Sequence, residues 1–101
     1  MSLFDLTGKV ALLTGASKGM GLAMAKALAE HGATVVISAR KQEQLDVAAA
    51  EINALGKGTA YGIACNVGYK EQLQALVDET HKLAGKIDIV IGNAGVNPYY
   101  G

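Results

Sequence analysis

The chain has 101 residues, half of them hydrophobic, with nine basic and nine acidic side chains and no formal net charge. That length allows one domain of globular composition. The balanced charge, without a basic stripe or block, excludes a surface built for nucleic acid or an acidic membrane.

One cysteine, Cys65, excludes an internal disulfide and fits a reducing compartment. It reads as a small buried apolar residue. The N-terminus has no basic, apolar signal segment and no run reaches the length of a membrane span, so a cytoplasmic protein is expected. In chain order, residues 1–8 are a lead-in that turns at Thr7-Gly8. Residues 9–14 read as a strand apolar on both faces, as in a buried parallel sheet. Residues 20–31 read as a helix with Gly21, Met24, Ala25, Leu28 and Ala29 on one face, ended by Gly32. A β-branched strand follows at 34–39. Residues 42–55 read as a second helix, with Leu45, Ala48, Ala49, Ile52 and Leu55 inward and Gly56 after it. A weaker strand at 59–65 is interrupted by Gly62. A third helix at 69–84 carries Leu73, Leu76, Val77, Thr80, Leu83 and Ala84 on one stripe and stops at Gly85. Residues 87–91 form a fourth strand, and 92–101 read as loop.

The informative stretch is Thr14-Gly15-Ala16-Ser17-Lys18-Gly19-Met20-Gly21, between the first strand and the first helix. Glycines let the chain turn through positive φ and let a ligand approach where no Cβ stands. The first amides of a helix lack intrahelical partners and its dipole favours an anion. A pyrophosphate suits that place. The spacing G-x-x-x-G-x-G matches neither G-x-G-x-x-G nor the phosphate loop G-x-x-x-x-G-K-[ST]. A plain turn is the competing reading.

The stretch resembles the T-G-x-x-x-G-x-G cofactor loop of the short-chain dehydrogenases/reductases. Gly92-Asn93-Ala94-Gly95 is similar to that family's N-N-A-G motif after the fourth strand, with glycine in place of the first asparagine. The resemblance runs from about residue 9 through the rest of the chain. It implies an NAD(P)-dependent oxidoreductase with a doubly wound, Rossmann-like α/β fold. The β-α-β-α-β-α-β order predicts a parallel sheet in the order 3-2-1-4. Its crevice lies at the carboxyl ends of strands one and four. Both motifs then fall on one crevice. The cofactor-binding residues expected there are Gly15, Ser17, Lys18, Gly19, Met20, Gly21, Arg40, Asn66, Val67, Asn93, Ala94 and Gly95. Asn66-Val67 stands where the family commonly has Asp-Val, the carboxylate holding the adenine amino group.

An NAD site usually places a carboxylate at the end of the second strand. Here that strand ends Ser38-Ala39-Arg40-Lys41, with no acid between Ala33 and Gln42. Arg40 is a planar donor suited to the 2′-phosphate of NADP, and Lys18 is within reach of the same group. NADP(H) is therefore expected over NAD(H). A solvated basic turn is the bland alternative.

The family's serine and Tyr-x-x-x-Lys pair are not in these 101 residues. Tyr61 and Tyr69 are followed four positions on by Cys65 and Leu73, and no serine follows Ser38. His31 and His81 fall at helix ends. No metal-ligand cluster is present. The expectation is that residues 1–101 are the N-terminal cofactor-binding half of an oxidoreductase domain, without catalytic residues of its own. The parent would transfer hydride between nicotinamide and a carbonyl or alcohol substrate. The alternatives are a nucleotide-binding module without chemistry and a self-assembling fragment. Strand four would be an edge with Asp88 as its single gatekeeper, which favours a homo-oligomer.

Overall fold

The computed structural model describes residues 5–66 and 68–92. The order is β1 (Val10–Thr14), α1 (Gly19–Glu30), β2 (Thr34–Ala39), α2 (Gln42–Asn53), β3 (Thr59–Ala64), α3 (Lys70–Ala84) and β4 (Ile89–Gly92). The four strands are parallel and lie in the order β3-β2-β1-β4. This is the doubly wound α/β arrangement expected from the alternation of strands and helices. Register pairs Leu12 with Val36 and Val90, and Val36 with Tyr61.

Strand side chains alternate between the two faces of the sheet. Ala11, Leu13, Val35 and Ile37 point to the face covered by α1 and α2, where Ala25, Ala29, Leu45, Ala48 and Ile52 meet them. Leu12 and Val36 point to the opposite face, with Cys65, Leu76 and the flanking Leu73 and Val77 of α3. β1 is buried along its whole length, the apolar run of residues 10–13 together with Thr14. The α3 face is less covered: Val90, in register with Leu12, is 67% exposed.

Several boundaries and faces differ from expectation. Met24 and Leu55 were expected on inward helix faces but are exposed, as is Leu83. Alanines bring α1 close to the sheet, which leaves Met24 at the margin of its stripe. Leu55 falls beyond the end of α2. Thr80 is fully buried because its hydroxyl donates to the Leu76 carbonyl, 2.7 Å away, and so needs no water. Gly62 does not break β3. A Cβ there would stand 2.9 Å from the Leu45 Cβ, so the glycine admits α2 onto the strand. Ile87 and Asp88 precede β4 instead of belonging to it. Asp88 is no edge gatekeeper: its carboxylate accepts from the Val10 amide (2.9 Å) and pairs with Lys86 (3.2 Å).

Candidate functional site

β1, β2 and β3 all end at one side of the sheet, and the segments leaving them line a cleft of about 590 Å³. That volume lies in the range of small-molecule sites. Gly15, Ser17 and Lys18 come from the turn after β1. Ser38, Ala39, Arg40, Lys41 and Gln44 come from the end of β2 and the start of α2. Cys65 and Asn66 come from the end of β3.

Backbone bonds hold the three segments together. The Ala16 amide donates to the Ser38 carbonyl (3.1 Å), and the Cys65 amide to the Ala39 carbonyl (2.8 Å). The Ser17 hydroxyl reaches Gln44 Oε1 at 3.3 Å. Asn66 makes its own turn: its Oδ1 accepts from the Gly68 amide (3.0 Å), and Gln72 Oε1 accepts from the Asn66 amide (2.7 Å). The asparagine amide oxygen is thus committed to the backbone in this structure, which is the local role open to any loop asparagine.

The glycine stretch does two physical jobs. Gly15 and Gly19 sit at φ of +69° and +65°, which only glycine adopts without strain. α1 then begins at Gly19 with extended Lys18 before it, no side-chain cap and no acid in its first turn. Its leading amides have no intrahelical partner and lie at the positive end of its dipole, an arrangement that favours an anion. A Cβ on Gly19 would meet nothing within 4 Å. The space there is open, as a phosphate cradle requires.

Lys18, Arg40 and Lys41 make the lining cationic, and no carboxylate stands among its residues. At its floor the Ser38 hydroxyl is buried with no hydrogen-bond partner among the described residues. Beside it, burial pushes the Cys65 thiol above its ordinary range, with the Ser38 hydroxyl opposing. That proximity falls short of hydrogen-bond geometry. Cys65 is buried, as expected, but borders the cleft as well.

Of the expected site residues, Gly15, Ser17, Lys18, Arg40 and Asn66 come together around the cleft. Gly19, Met20 and Gly21 form the first turn of α1 and do not line it: Met20 is 77% exposed, and Gly21 is buried. Val67, Asn93, Ala94 and Gly95 lie outside the described residues. Ser38, Lys41, Gln44 and Cys65 are lining residues not singled out from sequence. Ser38 and Cys65 were legible only as strand ends, and Gln44 only as one turn into a helix. Among the described residues no group of His, Cys, Asp and Glu could hold a metal ion. No helix among them is long and apolar enough to cross a membrane.

Residues 9–100 match the family model described as short chain dehydrogenase. The chain is 47% identical over 96 residues to rat dehydrogenase/reductase SDR family member 4, covering 95% of this chain and 34% of that protein. It spans about a third of the length of the curated relatives it matches. Its fold superposes on a short-chain type dehydrogenase/reductase from Mycobacterium marinum with a TM-score of 0.88 at 45% identity, covering 95% of this chain and 40% of that one. A metagenomic short-chain oxidoreductase solved in complex with NADP is similar at a TM-score of 0.85 and 39% identity, over 91% of this chain and 41% of that one.

Proposed function

Since the chain belongs to the short-chain dehydrogenase family, we propose that it is the NADP(H)-binding portion of an oxidoreductase acting on a carbonyl or alcohol substrate. The observation that carries the reading is the cleft itself: three cations, no carboxylate, and an uncapped helix N-terminus beside it. Similar structures are solved both with NADP and with NAD+, so the choice of NADP(H) rests on the cleft's cations alone.

The residues fit the cofactor in separable ways. The turn around Gly15 and Gly19 and the first amides of α1 suit the pyrophosphate. Arg40, with Lys18 and Lys41 beside it, suits the 2′-phosphate, where a planar guanidinium gives a two-pronged, charge-assisted contact. Asn66 and Val67 would border the adenine, and Asn93, Ala94 and Gly95 the nicotinamide side. When bound, the cofactor supplies the hydride exchanged with the substrate. This chain's own part is to bind and orient: the described residues hold no paired acid and base in the cleft. The substrate pocket and the proton-transfer residues are proposed to come from sequence beyond these 101 residues, in a cytoplasmic homo-oligomer.

Titration of NADPH and NADH against the wild type and Arg40→Ala tests the reading. A lost charge-assisted bond should weaken NADPH roughly 10- to 150-fold, with NADH nearly unchanged. Equal loss for both cofactors, or no wild-type preference, would remove NADP(H) from the proposal.

A further inference from the structure

Gln42 does not line the cleft, yet it makes more side-chain hydrogen bonds than any residue that does. It is the first residue of α2. Its Nε2 donates to the Gly62 carbonyl (3.0 Å) and to Asp46 Oδ1 (2.8 Å), and its Oε1 accepts from the Ala64 amide (3.0 Å). Gly62 and Ala64 turn the same side of their backbone outward, away from β2. A neighbouring parallel strand would take one carbonyl and the amide two residues on. The Gln42 amide takes that same pair, as one link of a missing strand.

The other end of α2 is fastened in the same currency. Asn53 Nδ2 donates to the Ala60 carbonyl (3.1 Å), and its Oδ1 accepts from the Ala60 amide (2.9 Å). α2 is therefore tied at both ends to the outer edge of β3. The two ties differ in what lies next to them. Gln42 directly follows Arg40 and Lys41, and Ala64 directly precedes Cys65 and Asn66, all four of which line the cleft. The Asn53 tie has no cleft residue near it in sequence. Lys41 makes no side-chain capping bond, so the first turn of α2 is held by the Gln42 bonds together with the buried Leu45 and the longer Ser17–Gln44 contact.

We propose that Gln42 is a positioning residue for cofactor selection: by clamping the first turn of α2 to the end of β3, it sets where Arg40 and Lys41 stand across the cleft from Asn66. The inference rests on the reading of that cleft as the site of a 2′-phosphorylated dinucleotide. The Cys65–Ala39 backbone bond fixes the strand ends, and one exposed amide that never touches the ligand then sets where the turn carrying Arg40 and Lys41 stands. Removing it lets the helix start swing and spreads the cations, which weakens the contact to the 2′-phosphate while leaving the shared parts of the cofactor held by the glycine turn.

The matched pair of ties provides the test. Gln42→Met keeps the length of the side chain and removes donor and acceptor; Gln42→Ala is made beside it as a second variant. Asn53→Leu removes the equivalent bonds at the far end of α2. NADPH and NADH are titrated against each chain, with the thermal midpoint read on the same samples. Both Gln42 variants should weaken NADPH about tenfold and NADH less than about twofold. Asn53→Leu should lower the thermal midpoint about as much as Gln42→Met does and leave both affinities unchanged. Retained NADPH preference in the Gln42 variants, alongside its loss in Arg40→Ala, overturns the clamp and leaves the cofactor reading standing. Equal weakening by Gln42→Met and Asn53→Leu also overturns it, because a general loosening would then explain both. A wild type with no NADPH preference overturns the underlying reading and the clamp with it.

Discussion

The two ends of the same parallel sheet are built to opposite rules. At the carboxyl end, several polar groups have no partner among the described residues: the leading amides of α1, the three cations of the cleft, and the buried Ser38 hydroxyl. At the amino end, the corresponding groups are paired off within the fold. Asp88 takes the Val10 amide, Asp5 takes the amide and hydroxyl of Thr7, and the Leu6 amide reaches the His31 carbonyl at 2.7 Å. Of the open groups at the carboxyl end only the Ser38 hydroxyl is buried, where an unbonded polar group costs free energy; the cations are exposed and stay hydrated. If the carboxyl end binds the proposed cofactor, binding and stability are separable along the strands.

The contrast makes substitutions at the two ends fail differently. The largest effect belongs to Gly19→Val at the carboxyl end. No protein atom lies in the way of a new Cβ, so the fold should persist. The φ of +65° should cost about 1–2 kcal/mol in a branched residue. Dinucleotide binding should be abolished, because the side chain would occupy the open space proposed to take the pyrophosphate. Circular dichroism and a binding titration on one sample check this, and retained binding would reduce the loop to a turn.

Gly58→Ala at the amino end should show the reverse pattern. Its Cβ would press on the Ala33 carbonyl oxygen and come within 2.6 Å of the Ala29 carbonyl oxygen, both of them backbone atoms that cannot step aside. Overpacking of that kind costs about 1–3 kcal/mol. A lowered urea midpoint is expected, with cofactor affinity unchanged once folding is saturated. An affinity loss as large as the stability loss would mean that the two ends are not separable.

The smallest effect is a pH dependence. The bond from the Val10 amide, and then Lys86, hold the Asp88 carboxyl below its ordinary value. A depressed folded pKa stabilises the fold above the unfolded value of about 3.9. That contribution is lost as pH falls through the folded value. Asp88→Asn keeps an acceptor for Val10 and removes the charge. The fall in thermal midpoint between about pH 5 and 3 should be shallower in the variant. Asp5, shifted the same way by Thr7, keeps part of the slope in both proteins. Identical acid limbs would assign the wild-type slope to other carboxylates.

Most of this architecture is legible in the residue pattern because parallel α/β units impose strong local signatures. β1 is apolar over residues 10–13, as burial on both faces requires, and ends in the buried Thr14. Helices of this length between strands allow few crossovers. The glycine spacing and Arg40 point to the cleft from short stretches of sequence. Ser38 and Cys65 are not expected at the site, because a strand's last inward residue reads as core, and only the neighbouring loops show that the core ends in a cavity.

What the sequence determined by itself is therefore the set of elements, their parallel order and the cationic turn after β2. Each follows from periodicity, glycine conformational freedom or the absence of a carboxylate, all properties of short stretches. Tertiary structure decided the long-range pairings. Asp88 meets Val10 across 78 positions of chain, and Gln42 meets Ala64 across 22. No local pattern distinguishes such a bonded Asp or Gln from a solvated one. Their partners are backbone groups, which every residue carries, so only the packed sheet selects which amide and which carbonyl stand open to receive them.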